Sequence, residues 1–503
     1  MTGILANFAA LHQAHWQNDA GYRRAWYFWP QASSLLALLL IFNPTDPGGA
    51  PAGAPWVKPM AAPGGPAPSG PAAPAKPTAA TQADREACIG KNYDTALVVC
   101  GELIATLART DPWLAEAYHN RGRVYSMKGQ VDLAIADFTQ AIALAPPAPG
   151  AVNYRGAVYL DKGNYDLAIA DFQTALAAKP NWALPHANLG LAYFMKNDSE
   201  RGLAEANEAV RLDPQLVWAK TVRIRINSAR KQFAEVISDA TAVIAASPTN
   251  GEAFYYRGEA RVELGDYRAA ATDLAEATRL GYKNFYLDLN KGYVNEQLGN
   301  VDQALLDYTA ALKINPKLAY ALQKRGQIYF DKRLYADSIS NLTTLLEIEP
   351  KNYDALILRA RAKMSAGMNA EALSDIDAAL AQRPNEAYAH SLRGAAYLDA
   401  ELATVEPCKK YGQPTADRSR WAVGGPARAF KCDKGPDIAG SIKEFDEAVR
   451  LSPALTVAYI DRGIAYNLLG NRQQAATNWR MAYKLDPSDR GLLQRMQRAG
   501  IRP

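Results

Sequence analysis

The sequence predicts an all-α fold: a right-handed solenoid of about eleven helical hairpins, preceded by a membrane anchor and a disordered Pro/Ala/Gly linker. Three observations carry this prediction. Pro112, Pro146, Pro180, Pro214 and Pro248 recur every 34 residues, as do Pro316, Pro350 and Pro384. Small residues hold fixed places within that period, and a proline-rich tract separates the periodic region from an apolar run near the N-terminus. A period of this size marks stacked helical units, each of which needs its neighbours to bury its apolar face. Tyr282 stands where proline is expected between Pro248 and Pro316. Pro384 and Pro453 are 69 residues apart, one period plus 35, and Pro487 resumes the series.

The N-terminal elements come first. Residues 1–24 are mixed in character and end in Arg23-Arg24. Residues 25–42 begin with Ala25-Trp26-Tyr27-Phe28-Trp29-Pro30 and run to Leu35–Phe42. The 17 residues from Trp26 to Phe42 reach the short end of what spans a bilayer. The aromatics sit where an interfacial belt would lie, and the arginines predict a cytoplasmic N-terminus. Two other readings stay open: a cleaved signal, with small residues at Ala50 and Ala52, and an exposed apolar tail. Residues 43–80 are dominated by Pro, Ala and Gly, too poor in large apolar groups to fold and stiffened by proline into a spacer. Together these segments predict a single-pass protein of the bacterial inner membrane with its solenoid in the periplasm. An exported, soluble periplasmic protein is the alternative.

Within the repeat, count Ala115 as slot 1. Tyr118, Gly122 and Tyr125 lie on one run, and Ala134, Phe138 and Ala141 on the next. Spacings of three and four place each set on one helical face. Gly129 stops the first helix, A, and the second, B, ends before the proline, which disfavours helix at the residue preceding it. Slot 8 is Gly at 122, 156, 190, 258, 292, 326, 394 and 463, while slot 20 is Ala at 134, 168, 270, 304, 372 and 475. Gly in a helix costs about 1 kcal/mol against Ala, so its recurrence points to close helix approach. Phe138, Phe172, Tyr308, Phe445 and Trp479 are expected to fill the space between neighbouring units. Ile224 and Val236 replace the small residues in the unit ending at Pro248, which predicts looser or re-angled stacking there.

The aromatic–Gly–Tyr pattern on helix A and Ala–Phe–Ala–Pro on helix B resemble the tetratricopeptide repeat (TPR) family, of the bacterial membrane-anchored or periplasmic type. The resemblance covers residues 81–487, with 403–436 as a loop inserted in the tenth repeat and 488–503 as a C-terminal capping helix or tail. It implies a scaffold for protein partners. It also implies that slots 2, 5, 9 and 12 of helix A line a concave groove. Those slots include His119, Arg123, Trp218, Arg225, Tyr255, Tyr286, Tyr293, Tyr320, Gln323 and Gln327. Tyrosines and glutamines so placed suit an extended peptide or a glycan. Tyr is also an ordinary packing residue between units. The Lys/Asn/Arg clamp by which some relatives hold C-terminal carboxylates is not recognisable.

The formal net charge of +5 is mild, and the repeats apart from the termini and insertion sum to about −3, so no basic stripe for nucleic acid is evident. Slots 7 and 23 carry opposite charge: Arg121, Arg155, Arg223, Arg257, Arg325, Arg359, Arg393 and Arg462 against Asp137, Asp171, Asp239, Asp273, Asp307 and Asp375. Such rows predict a ladder of ion pairs along the stack.

Cys88 and Cys100 are assigned to slots 8 and 20 of the first unit, where helices A and B approach most closely, a placement suited to a disulfide. Two small buried thiols in a reduced protein are the alternative. Cys408 and Cys432 bracket the insertion, and a disulfide there would stabilise by about 3.5 kcal/mol in the chain-entropy model. The five histidines are scattered, and His186 and His390 fall at slot 4, a packing position. No metal-ligand spacing, nucleophile motif or phosphate loop occurs, so neither cofactor nor enzymatic activity is expected. The insertion carries Lys409, Lys410, Arg418, Arg420, Trp421, Arg428, Phe430 and Lys431. A basic, aromatic loop of this length is read as a docking element for a protein partner of the envelope, against the alternative of a neutral insertion.

Overall fold

Several periods open with a side-chain-capped helix. Asp111, Asn250 and Asn352 accept from the second or third helical N–H, satisfying a donor with no partner inside the helix. The turn after helix A passes through a left-handed residue at slot 15. Gly occupies it at 129, 163, 265, 299, 367 and 470, joined by Asn197, Lys231 and Arg333, with φ from 60° to 81°. Gln130 N–H then bonds back to the Tyr125 carbonyl at 2.8 Å, which satisfies one of helix A's last acceptors.

The computed structural model describes residues 81–90, 92–402 and 438–503, and no strand occurs among them. They belong to two compact units, divided between Gly299 and Asn300. The first holds α1 (Gln82–Ile89), α2 (Tyr93–Thr106), α3 (Pro112–Met127), α4 (Val131–Leu144), α5 (Pro149–Asp161), α6 (Tyr165–Ala178), α7 (Ala183–Met195), α8 (Ser199–Leu212), α9 (Val217–Ala229), α10 (Phe233–Ala246), α11 (Gly251–Glu263), α12 (Tyr267–Arg279) and α13 (Phe285–Gln297). The second holds α14 (Val301–Ile314), α15 (Ala319–Asp331), α16 (Tyr335–Ile348), α17 (Tyr353–Ser365), α18 (Asn369–Gln382), α19 (Ala387–Leu402), α20 (Ile438–Leu451), α21 (Thr456–Leu468), α22 (Arg472–Leu485) and α23 (Arg490–Arg498). The anchor and linker expected over 25–80 lie outside the described residues. No described helix is long and apolar enough to cross a membrane.

The slot-8 glycines make room for a ring. A Cβ on Gly122 would lie 3.0 Å from Phe138 Cδ1 and Cε1, and one on Gly156 would lie 2.8 Å from Phe172 Cε1. Gly394 sits likewise under Phe445, and Gly463 under Trp479. These rings therefore fill their own hairpin first, which corrects their assignment to the space between units. The reason is register: slot 24 lies one helical turn beyond slot 20, on the face of helix B that meets its own helix A. Contact with the next unit is secondary, as where Phe138 stacks on Tyr154 at 5.9 Å. In α7–α8, Ala206 takes the ring's place and the backbones close up: a Cβ on Gly190 or Gly202 would meet the other's carbonyl oxygen at 2.9 Å. The α9–α10 hairpin inverts the sizes. Ile224 at slot 8 faces Ala240 at slot 24, and Ile224, Val236 and Ala240 are all at most 1 % exposed. The seam is filled, so the looser packing expected there is not found.

In the first hairpin, Ala96, Cys100 and Leu103 are buried as Ala134, Phe138 and Ala141 are in the next. Cys100 thus stands at the ring's slot, not at the small slot 20 that its sequence spacing suggested, because the turn before α2 is built differently. Cys100 is joined to Cys88 by a disulfide. The crosslink plugs the position that a phenyl ring fills elsewhere, between α2 and a helix A of only 8 residues. Closing a loop of about 13 residues stabilises by about 3 kcal/mol in the chain-entropy model. Reduction is expected to raise hydrogen exchange across residues 93–106 while leaving α5–α8 unchanged. Unchanged protection of the Ala96 and Leu103 amides would show that the crosslink contributes nothing.

The charged rows form a ladder with two kinds of step. Within a hairpin, Arg121 donates from Nε and Nη2 to Asp137 at 2.7 and 2.8 Å, and Arg155, Arg223, Arg257 and Arg359 repeat this on Asp171, Asp239, Asp273 and Asp375. Between hairpins, Nη1 reaches back to slot 25 of the preceding unit: Arg155 to Thr139 at 3.1 Å, Arg257 to Thr241 at 3.3 Å, Arg359 to Thr343 at 3.1 Å. The carboxylates are buried, and two-pronged arginine pairing compensates their lost hydration. Lys162–Asp132 and Lys196–Asp166 form a second, exposed series worth little.

Candidate functional site

Helix A of each unit turns one stripe toward helix B and leaves another, slots 2, 5, 9 and 12, for something else. In α9, α11 and α13 that second stripe is rich in polar and aromatic groups. Trp218 donates through Nε1 to Asn188 Oδ1 at 2.8 Å, and Asn188 donates to Asn153 Oδ1 at 3.1 Å. The Arg225 guanidinium lies 5.4 Å from the centre of the Trp218 ring and donates to Glu252 at 2.6 Å. Glu259 accepts from Ser228 Oγ at 2.9 Å and from Tyr255 OH at 2.8 Å. Burial pushes its carboxyl above the usual range, with the Glu263 charge adding to the shift against those two hydrogen bonds.

Of the tyrosines expected on this stripe, Tyr255 is corrected. It is 3 % exposed, stacked on Tyr282 at 5.1 Å, and committed to Glu259. The Tyr282 ring, on the segment leading into the next unit, covers it, and the Glu259 carboxylate accepts a hydrogen bond from its hydroxyl. Tyr286 and Tyr293 are half-buried and border the same core, Tyr286 against Phe285 at 4.1 Å. In the other unit, Tyr320 meets Tyr308 edge-on at 6.3 Å, Gln323 is half-buried, and Gln327 donates to Asp331 at 2.9 Å. The insertion candidates Lys409, Lys410, Arg418, Arg420, Trp421, Arg428 and Phe430, with Cys408 and Cys432, lie outside the described residues. Nevertheless α19 and α20 on either side of them pack as a hairpin, with Arg393 Nη2 2.9 Å from both Glu444 oxygens.

His119 shares the stripe at the other end of the first unit. Its ring meets Tyr154 edge-on at 5.3 Å, and its buried Nδ1 has no hydrogen-bond partner. Burial, with Arg123 nearby, brings its pKa down from 6.5 to about 4. An unfolded chain therefore binds a proton between those values that the folded chain refuses. The contribution is complete above about pH 6.5 and lost as pH falls toward 4. Substituting His119→Gln is expected to flatten the melting temperature's pH dependence over that interval. Parallel profiles for both proteins would refute the assignment.

Sequence reasoning missed two arrangements. Glu259's support from the preceding unit's Ser228 left no distinctive pattern. The pairing of His186 with Glu205 at 2.6 Å and His390 with Glu444 at 2.7 Å did leave one: Glu replaces Asp at slot 23 in the units with His at slot 4. Chemically the stripe offers rings, hydrogen-bond donors and acceptors, and among the described residues no group of three His, Cys, Asp or Glu is placed to hold a metal ion.

Comparison with known proteins agrees with this geometry. The TPR repeat model matches residues 156–197, and tetratricopeptide repeat models match 115–148, 255–319 and 329–396. No curated protein matches the chain in sequence. Among solved structures, YrrB, a TPR protein with an unusual peptide-binding site, is 24 % identical, with a TM-score of 0.33, covering 37 % of this chain and 95 % of its own. A tetratricopeptide repeat protein from Parabacteroides merdae ATCC 43184 is 16 % identical, with a TM-score of 0.37, covering 49 % of this chain and 99 % of its own. PilF of Pseudomonas aeruginosa is 15 % identical, with a TM-score of 0.40, covering 44 % and 99 %. With the 34-residue period, the left-handed turn and the small-to-ring seam all present, the hairpins within residues 115–148, 156–197, 255–319 and 329–396 are tetratricopeptide repeats.

Proposed function

We propose that the chain is a non-enzymatic scaffold that holds protein partners of the bacterial envelope against the stripe of slots 2, 5, 9 and 12 on its A helices. Tetratricopeptide repeats serve generally as protein-binding scaffolds, and the observation that carries the reading here is on α13. Tyr286 and Tyr293 stand half-buried there, their rings anchored in the core and still partly open. Rings held in this way offer contact area at low entropic cost, which is how tyrosine serves at interfaces. Photo-crosslinkers placed at Tyr286 and Tyr293 should trap one discrete protein, whereas crosslinkers at Leu133 and Leu167, exposed on the B helices, should not. Equal trapping from both sets would refute the stripe as the interface.

The envelope setting rests on residues 25–42 as a signal anchor and 43–80 as a spacer, with an exported soluble form as the alternative. A periplasm-dependent reporter fused at the C-terminus should be active. A silent reporter would contradict the setting. The Cys88–Cys100 crosslink fits an oxidising compartment. A peptide or glycan receptor is the second reading, favoured by the hydrogen-bonding set of Ser228, Glu259 and Arg225 beside these rings.

A further inference from the structure

Two hairpins replace the Arg–Asp clamp with a different device. Slot 23 is Glu at Glu205 and Glu444, and in those units slot 4 is His186 and His390. The six units with Asp at slot 23 have Tyr118, Val152, Lys220, Phe254, Asp288 and Leu356 at slot 4. The longer carboxylate reaches past slot 7 to the histidine. His186 Nδ1 lies 2.6 Å from Glu205 Oε2, and its Nε2 lies 3.0 Å from the Pro180 carbonyl oxygen. His390 repeats the arrangement at 2.7 Å from Glu444 Oε2 and 2.9 Å from the Pro384 carbonyl oxygen. The same three-way contact thus occurs twice, once in each compact unit.

Proton counting decides what these contacts are. A backbone carbonyl oxygen can only accept, and so can an ionised carboxylate. A neutral imidazole has one N–H and can satisfy only one of the two. The other short contact needs a second proton. We propose that each His–Glu pair holds one proton beyond a neutral ring and a carboxylate, making a doubly hydrogen-bonded staple. It joins the exit segment of the preceding unit, helix A and helix B.

The surrounding charges are accounted for. Around His186, slot 7 is Leu189 and brings no charge. Glu208 on α8 is committed to Arg211 through two bonds at 2.6 and 2.7 Å, and Lys179 of the preceding segment lies over the Trp182 ring at 5.8 Å. Around His390, Arg393 Nη2 shares Glu444, and its Nη1 meets Asp377 of α18 at 3.2 Å. Glu447 is committed to Arg450. Arg393 Nε, the atom that meets Asp in other hairpins, has no hydrogen-bond partner, because Glu444 is turned toward the histidine. The α19–α20 hairpin therefore relies on the staple where the preceding α17–α18 hairpin relies on the clamp.

The test uses the full chain, made without a histidine tag and labelled with nitrogen-15 in its five histidines. His186→Gln and His390→Gln assign the signals. At about pH 7 both nitrogens of His186 and His390 should give protonated-type shifts, while His119 shows one bare nitrogen. Glu205→Gln and Glu444→Gln keep the fold, since an amide can donate to a neutral Nδ1, and should return the facing ring to a single N–H. A bare nitrogen on either staple ring in the wild type at about pH 7, or two N–H groups kept by the facing ring in the Gln variants, would overturn the proposal.

Discussion

Asp273→Ala is expected to cost about 3–5 kcal/mol, the largest loss of any single substitution on the clamp row. Asp273 is 2 % exposed and receives three donors: Arg257 Nε at 2.9 Å, Arg257 Nη2 at 2.8 Å and Arg261 Nη1 at 2.6 Å. Deleting the carboxylate leaves two guanidinium groups, one helical turn apart on α11, with no counter-charge from α12. Each must recover water or swing out, and the rung to Thr241 of the preceding hairpin goes with Arg257. Lys162→Ala, by contrast, removes a pair whose Asp132 is almost fully exposed and should cost at most about 0.5 kcal/mol. Urea unfolding of both variants checks the contrast. Similar losses would mean that burial does not set the worth of these pairs.

The second large effect concerns size along the hairpin seam. Gly156→Ile should destabilise by about 3 kcal/mol, the upper range for overpacking, because its Cβ alone would lie 2.8 Å from Phe172 Cε1 and 3.1 Å from Asp171 Cβ. Phe172 is completely buried and has no empty side to move toward. Phe172→Ala alone should cost about 3–5 kcal/mol through the cavity it leaves. The double variant should lose less than either single one, since it recreates the Ile224–Ala240 arrangement that α9–α10 already uses. Contacting residues couple in this way, whereas distant ones add. Losses that simply add in the double variant would refute ring-over-glycine as the reason for slot 8.

Much of the architecture was legible because a repeat states its rules many times over. Gly129 marked the turn between helices A and B, and slots 7 and 23 were matched in charge before any distance was known. What stayed hidden depended on which neighbour a side chain chooses. Phe138 could have faced the next unit or its own Gly122, and helical periodicity alone does not separate the two. Cys100 was misplaced by one helical turn because the first A–B turn differs in construction. Tyr255 looked like Tyr286 and Tyr293 in sequence, yet its hydroxyl found Glu259 and was buried with it. The histidine staples left a readable signal, the joint change at slots 4 and 23, visible only when the repeats are compared with each other.

The most direct test of the scaffold is in-cell crosslinking and capture of the full-length chain, run beside the triple variant Tyr286→Ala, Tyr293→Ala, Tyr320→Ala and a version lacking residues 404–436. The account predicts one discrete envelope protein captured by the intact chain and lost from the triple variant. Its loss from the deletion as well would place part of the docking on the inserted segment. Undiminished capture by both altered chains would contradict the account, because neither the tyrosine stripe nor the insertion would then hold the partner.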